Sequence, residues 1–191
     1  MLHVVLIRES DFSWDEMESS LSASGHQVTE LEADVMLPDR IARLVPDVII
    51  IAASSPSRDV LEHVCVVSRD TPRPIVMFTN DGSNESISGA IKAGVSAYVV
   101  DGFHPNRLAP IMDVARARFE AEQSLKTELN LTKVRLKERQ LVEKAKGIIM
   151  RERKCDEEAA YQCLRKAAMD SNRRIGDVAS QLIQAHQLLH G

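Results

Sequence analysis

Short apolar runs rich in β-branched residues punctuate the first half of the chain: VVLI at 4–7, VIII at 48–51, IVMF at 75–78 and AYVV at 97–100. Runs of this length and composition predict strands. Residues 27–31, QVTEL, predict one more. Amphipathic stretches of helix length lie between them. Residues 15–24 stop at Gly25, 58–68 stop before Pro72 and Pro74, and 86–93 stop at Gly94; Gly or Pro just beyond a periodic run is a helix terminator. Such alternation predicts a five-stranded parallel sheet with helices on both faces.

The pattern changes near residue 111. No Pro follows Pro110 and no Gly appears before Gly147, so one long helix is expected. Along it Ala121, Leu125, Leu129, Thr132 and Leu136 lie three or four positions apart. That spacing draws a narrow apolar stripe suited to a coiled-coil partner, and a homodimer is expected. The helix continues to about Arg153, Asp156 is placed to cap a second with Glu157 and Glu158 in its first turn, and the second runs to about Met169. After Asp170, Ser171 and Asn172, a third helix from about Arg174 to Leu189 sets Ile175, Val178, Ala179, Leu182 and Ile183 on one face.

These shifts divide the chain into residues 1–112, a helical linker at 113–137 and a helical domain at 138–191. The composition, 44% hydrophobic, 27% charged and 4% aromatic, is that of a globular chain. No apolar run approaches the roughly 18 residues of a membrane span. No basic leader precedes the first apolar run, so a cytoplasmic location is expected. Cys65, Cys155 and Cys163 form no CxxC pair, which suits reduced, structural thiols. Charge is unevenly spread. Residues 1–112 hold 8 Lys+Arg against 16 Asp+Glu, net −8, whereas 113–191 hold 16 against 12, net +4. A basic tail is compatible with a polyanionic partner, and equally with a solvated helix surface.

In a parallel sheet the functional cleft opens at the carboxyl ends of the strands. Those ends carry Arg8 and Glu9, then Ala52, Ala53 and Ser54, then Thr79, Asn80 and Asp81, and finally Asp101 and Gly102. The segments PDVIII at 46–51, PIVMFT at 74–79 and AGVSAYVVDG at 93–102 resemble the receiver domain of response regulators, a flavodoxin-like α/β fold. The resemblance implies a phosphoacceptor Asp at the end of the third strand, two acidic residues after the first, a Ser or Thr after the fourth and a Lys after the fifth. Here Ala52 stands for the acceptor, Arg8 sits beside Glu9, Asp101 replaces the lysine and Thr79 alone keeps its type. An acyl phosphate needs a carboxylate nucleophile, and neither Ala52 nor the nearby Ser54 and Ser55 supplies one. Control by contact with another molecule is expected instead.

The tail, EKAKGIIMRERKCDEEAAYQCLRKAAMDSNRRIGDVASQLI at 143–183, resembles the RNA-binding ANTAR domain, with matches at Ala145, Lys146, Gly147, Met150, Ala160, Tyr161, Leu164, Arg165, Ala168, Asn172, Asp177, Val178 and Ala179. Independently of the family, Lys146, Arg165, Arg173 and Arg174 are candidate phosphate contacts. Gly147 and Ala168 would let a backbone or base approach closely, with helix packing the alternative for Gly147. Tyr161 either stacks on an unpaired base or plugs a core poor in aromatics. His186 and His190 are spaced as half a metal site, with no Cys or carboxylate nearby in sequence to complete it.

Along its whole length the chain resembles the NasT-type antiterminators of nitrate and nitrite assimilation and, more distantly, the amidase-operon antiterminator AmiR. That resemblance implies binding to tandem stem-loops in a nascent leader mRNA, an indirect effect on RNA polymerase, and control by a nitrate/nitrite sensor protein resembling a periplasmic binding protein. A DNA-binding response regulator and a protein-interaction regulator with no nucleic-acid contact remain open. No cofactor, no membrane association and no enzymatic activity is expected, because no phosphate-binding loop, nucleophile signature or catalytic carboxylate pair appears.

Overall fold

A computed structural model of the chain describes residues 1–8, 15–54, 57–100 and 103–190. It divides into two compact units, Met1–Gln123 and Ser124–Gly191. In the first, strands β1 (His3–Arg8), β2 (Gln27–Glu32), β3 (Val48–Ala53), β4 (Ile75–Thr79) and β5 (Ala97–Val100) alternate with helices α1 (Asp15–Ala23), α2 (Leu37–Leu44), α3 (Arg58–Asp70) and α4 (Asn84–Ala93). Every recorded strand pairing is parallel, in the order β2-β1-β3-β4-β5.

Successive side chains on a strand point to opposite faces, and the two cores divide accordingly. Val4, Leu6, Val48, Ile50, Val76 and Phe78 pack beneath α1 and beneath Leu108, Met112 and Ala115 of the helix that follows β5. Val5, Ile7, Ile49, Ile51, Ile75 and Met77 pack against α2, α3 and α4. Because both faces are covered, β3 is buried at every position, and its sequence shows an apolar run rather than alternation. Burying a Leu, Ile or Phe this fully contributes about 1.5–3 kcal/mol each.

Helix ends follow local chemistry. Ser57 and Ser83 accept hydrogen bonds from the backbone N–H of Val60 and Ser86. Gly94 ends α4 at φ +110°, where a Cβ would also lie 2.1 Å from Ser68 Oγ. Helix α2 was not anticipated from the sequence: it spans a single pair of buried residues, Leu37 and Ile41, and ends at Val45 in the left-handed region rather than at Gly.

Helix α5 runs from Pro105 to Arg153, so it begins upstream of the expected residue 111. Pro105 opens it, where the missing N–H costs nothing, and Pro110 is carried inside. Leu108, Met112 and Ala115 bury its start against the sheet core. In the second unit the end of α5 packs with α6 (Glu157–Asp170) and α7 (Ile175–His190) around Val142, Ala145, Ile149, Ala160, Leu164 and Ala179. Asp156 caps α6 by accepting the Ala159 N–H at 2.8 Å. Lys154 and Asn172, both at φ +51°, turn the chain between these helices. Gly176 lies against α5, where a Cβ would come within 2.7 Å of Glu138 Cγ.

Candidate nucleic-acid interface

Among the described residues, the strand ends of the first unit form a hydrogen-bonded polar cluster around Thr79 and Asp81. Ala52, fully buried, pairs with Arg8 in the sheet register; the side chain of Arg8, and all of Glu9 and Asp101, lie outside the described residues. Thr79 is also fully buried. Its hydroxyl donates to the Ser54 carbonyl at 3.0 Å and accepts the Asp81 N–H at 3.1 Å. The Asp81 carboxylate accepts the Ser83 N–H and the Ser86 hydroxyl, and Tyr98 donates its phenol to the Asp81 carbonyl at 2.7 Å. Burial holds the Tyr98 phenol above its ordinary pKa, keeping it a donor.

In the second unit the candidate residues separate into an exposed set and a buried set. Tyr161 is 38% exposed and therefore stands on the outside of α6 rather than plugging the core. Arg165, one helical turn on, is exposed, and Met169, a further turn on, is 70% exposed. Residues four apart share a helix face, so these three form one stripe. Met169 was not singled out from the sequence, although helical spacing places it there. Arg173 and Arg174 are exposed at the turn into α7, and Arg174 lines a shallow cleft with Lys137, Glu138 and Asp177.

Gly147 and Ala168, grouped by the sequence as sites of close approach, part company. A Cβ built on Gly147 meets nothing within 4 Å, so packing of α5 does not require glycine there. Ala168 is 6% exposed among the buried residues of α6. Its methyl is already covered by protein, and the expected approach of a base to it is corrected on that ground.

Lys146 also departs from expectation. Only 7% exposed, it ion-pairs with Glu143 at 2.8 Å and Glu157 at 2.6 Å. Hydrogen bonds to Glu143 and Glu157 raise its pKa, and the bond from Lys146 lowers that of Glu157. The ammonium expected to meet a phosphate is occupied by carboxylates in this conformation. Glu152 comes within 3.6 Å of His186 Nε2, a neighbour the sequence did not reveal. No cluster of metal-binding type occurs among the described residues, nor does any helix among them have the length and apolarity to cross a membrane.

The apolar stripe on α5 is open. Leu125, Leu129 and Leu136 are each more than half exposed, and Ala121 and Thr132 are exposed with them. Leu131 and Val134 are also more than half exposed, but at 3.6 residues per turn they fall on other faces of the helix than the predicted seam.

Residues 131–183 match the ANTAR domain family, and this stretch is an ANTAR domain. Over 88% of its length the chain is 27% identical to the transcriptional regulatory protein PdtaR of Mycobacterium tuberculosis, covering 83% of that protein. Across 78 residues, 41% of the chain, it is 37% identical to the nitrate regulatory protein of Klebsiella oxytoca, of which that match spans 20%. Among solved structures it resembles the signal receiver domain of a diguanylate cyclase from Desulfovibrio desulfuricans, with TM-score 0.55 and 14% identity over 64% of this chain and 98% of that one. It also resembles a chemotaxis response regulator of Vibrio cholerae, with TM-score 0.52 and 22% identity over 60% and 98%. The first unit thus has the receiver-like fold.

Proposed function

We propose that the chain is a transcription antiterminator that binds stem-loops in a nascent leader RNA. The observation that carries this reading is the exposed stripe of Tyr161, Arg165 and Met169 within a domain of the ANTAR family. An aromatic ring beside an exposed guanidinium suits a single-stranded loop, whose splayed bases offer faces to stack on and whose phosphates offer charge. The open space over Gly147 adds room for close approach. Arg173 and Arg174 extend the basic surface past the end of α6.

Regulation in this reading passes through contact. Ala52 offers no oxygen to phosphorylate, and the Thr79 hydroxyl is engaged within the protein. A sensor protein then controls the chain, and the match to a nitrate regulatory protein supports nitrate or nitrite as its signal. The exposed leucines of α5 support a homodimer, which would present paired ANTAR domains to tandem stem-loops. Electrophoretic mobility shifts with the leader RNA upstream of the regulated operon, set beside duplex DNA of the same sequence, test the reading. RNA is expected to bind with steep salt dependence; preference for the duplex, or no binding to either, would count against it.

A further inference from the structure

Among the described residues Lys146 is the one buried charged side chain, and its surroundings define what it can do. Glu143 lies one turn earlier on the same helix, whereas Glu157 is the first residue of α6, beyond the turn made by Lys154 and Asp156. An ammonium has three donors; two of them are directed at these carboxylates, so a phosphate arriving at the third would meet two negative charges beside it. Glu143 thus orients the lysine, and the lysine reaches across the turn to hold the start of α6. Tyr161 and Arg165 follow Glu157 at successive turns of that helix.

Resting on the RNA-binding reading, we propose that Lys146 and Glu157 are positioning residues. Their ion pair fixes α6 on α5 so that Tyr161 and Arg165 present one continuous face to RNA, and Lys146 itself contacts no phosphate. The arrangement gives Glu157, an acidic residue, a favourable role in binding a polyanion, which a phosphate-contact role for Lys146 does not.

The test uses the full-length chain and a stem-loop RNA selected in vitro against it from a library with randomised loops. Affinity is measured by fluorescence anisotropy over a salt series, at a temperature where circular dichroism shows every variant folded. Glu157→Gln is expected to weaken binding about tenfold with the salt slope unchanged, because no phosphate contact is lost. The exchange Lys146→Glu with Glu157→Lys is expected to recover affinity to within about threefold, although position 146 then carries a negative charge. Tighter or unchanged binding by Glu157→Gln, or loss of binding by the exchange with a slope smaller by about 0.7–0.9, would overturn the proposal and make Lys146 a phosphate ligand.

Should the exchange fail to fold, the cycle of Lys146→Met and Glu157→Gln decides instead. Equal losses in both singles and the double support a pair acting as one unit, and additive losses overturn it. Failure of the wild-type chain to enrich any RNA removes the RNA-binding reading and the positioning role together, an outcome distinct from a changed slope.

Discussion

Thr79 and Arg165 show how differently the two units treat their polar groups. Thr79 sits at the carboxyl edge of the sheet with its hydroxyl engaged by Ser54 and Asp81, while Asp81 is held in turn by Ser83, Ser86 and Tyr98. Arg165 stands in solvent on α6, beside an exposed tyrosine. A buried polar group that has found its partners inside the protein rigidifies one geometry and has little left to offer a ligand. A solvated cation keeps its donors available and gives them up to a phosphate at small cost. The same contrast recurs inside the ANTAR domain, where Lys146 is buried and paired with two carboxylates while Arg165 is exposed.

The contrast is sharpest in a pair of substitutions read by two assays. Tyr161→Ala is expected to weaken RNA binding by about 1–3 kcal/mol, the usual contribution of base stacking, with little change in melting temperature. An unaltered affinity would remove the tyrosine from the interface. Thr79→Val is expected to do the reverse. By leaving the Asp81 N–H without its acceptor, it should destabilise the first unit by about 1–3 kcal/mol in urea unfolding, and RNA affinity should hold.

Lys154→Gly tests strain at the turn before α6: relieving a left-handed lysine at φ +51° should stabilise the second unit by about 1 kcal/mol. Gly147→Ala should raise helix stability by about 0.5–1 kcal/mol, since no neighbour obstructs a Cβ. If the gap serves RNA, affinity falls while the melting temperature rises. Parallel changes in both would mean that the open space has no part in binding.

The smallest expected effect is in pH dependence. Lys146 lowers the pKa of Glu157, so the stability this glutamate contributes is complete above its unfolded value and is lost as pH falls through the folded one. Lys146 has a raised pKa, so its share is complete below its unfolded value and is lost as pH rises through the folded one. Melting temperature against pH should therefore show shoulders at both ends in the wild type and flatter ones in Glu157→Gln. Identical profiles for the two proteins would deny the pair any role in stability.

Much of the fold is legible from short-range pattern. The strand expectations fall within the observed β1 to β5, and the capping aspartate of α6 sits where the sequence places it. Helix α2 escaped because eight residues with one buried pair hardly register as a period, and because a left-handed valine gives no terminator signal. Helix α5 begins earlier than expected because Pro105 and Pro110 read as breakers, whereas Pro105 sits in the first turn, where proline is tolerated, and Pro110 is carried inside the helix. At the candidate interface, spacing alone could set Tyr161 and Arg165 on one face. It could not say that this face looks outward, nor that Ala168 looks inward.

By itself, then, the sequence determined which segments become strands and helices, since hydrophobic period and capping chemistry act over a few neighbouring residues. It also determined that position 52 has no carboxylate, a matter of residue identity. Only the tertiary structure decided what Lys146 meets, because Glu157 lies across a turn whose course depends on how α6 packs. Exposure of a side chain is a property of the packed domain, and availability to a ligand follows from exposure. The division between groups consumed inside the protein and groups left for a partner arises from packing for that reason.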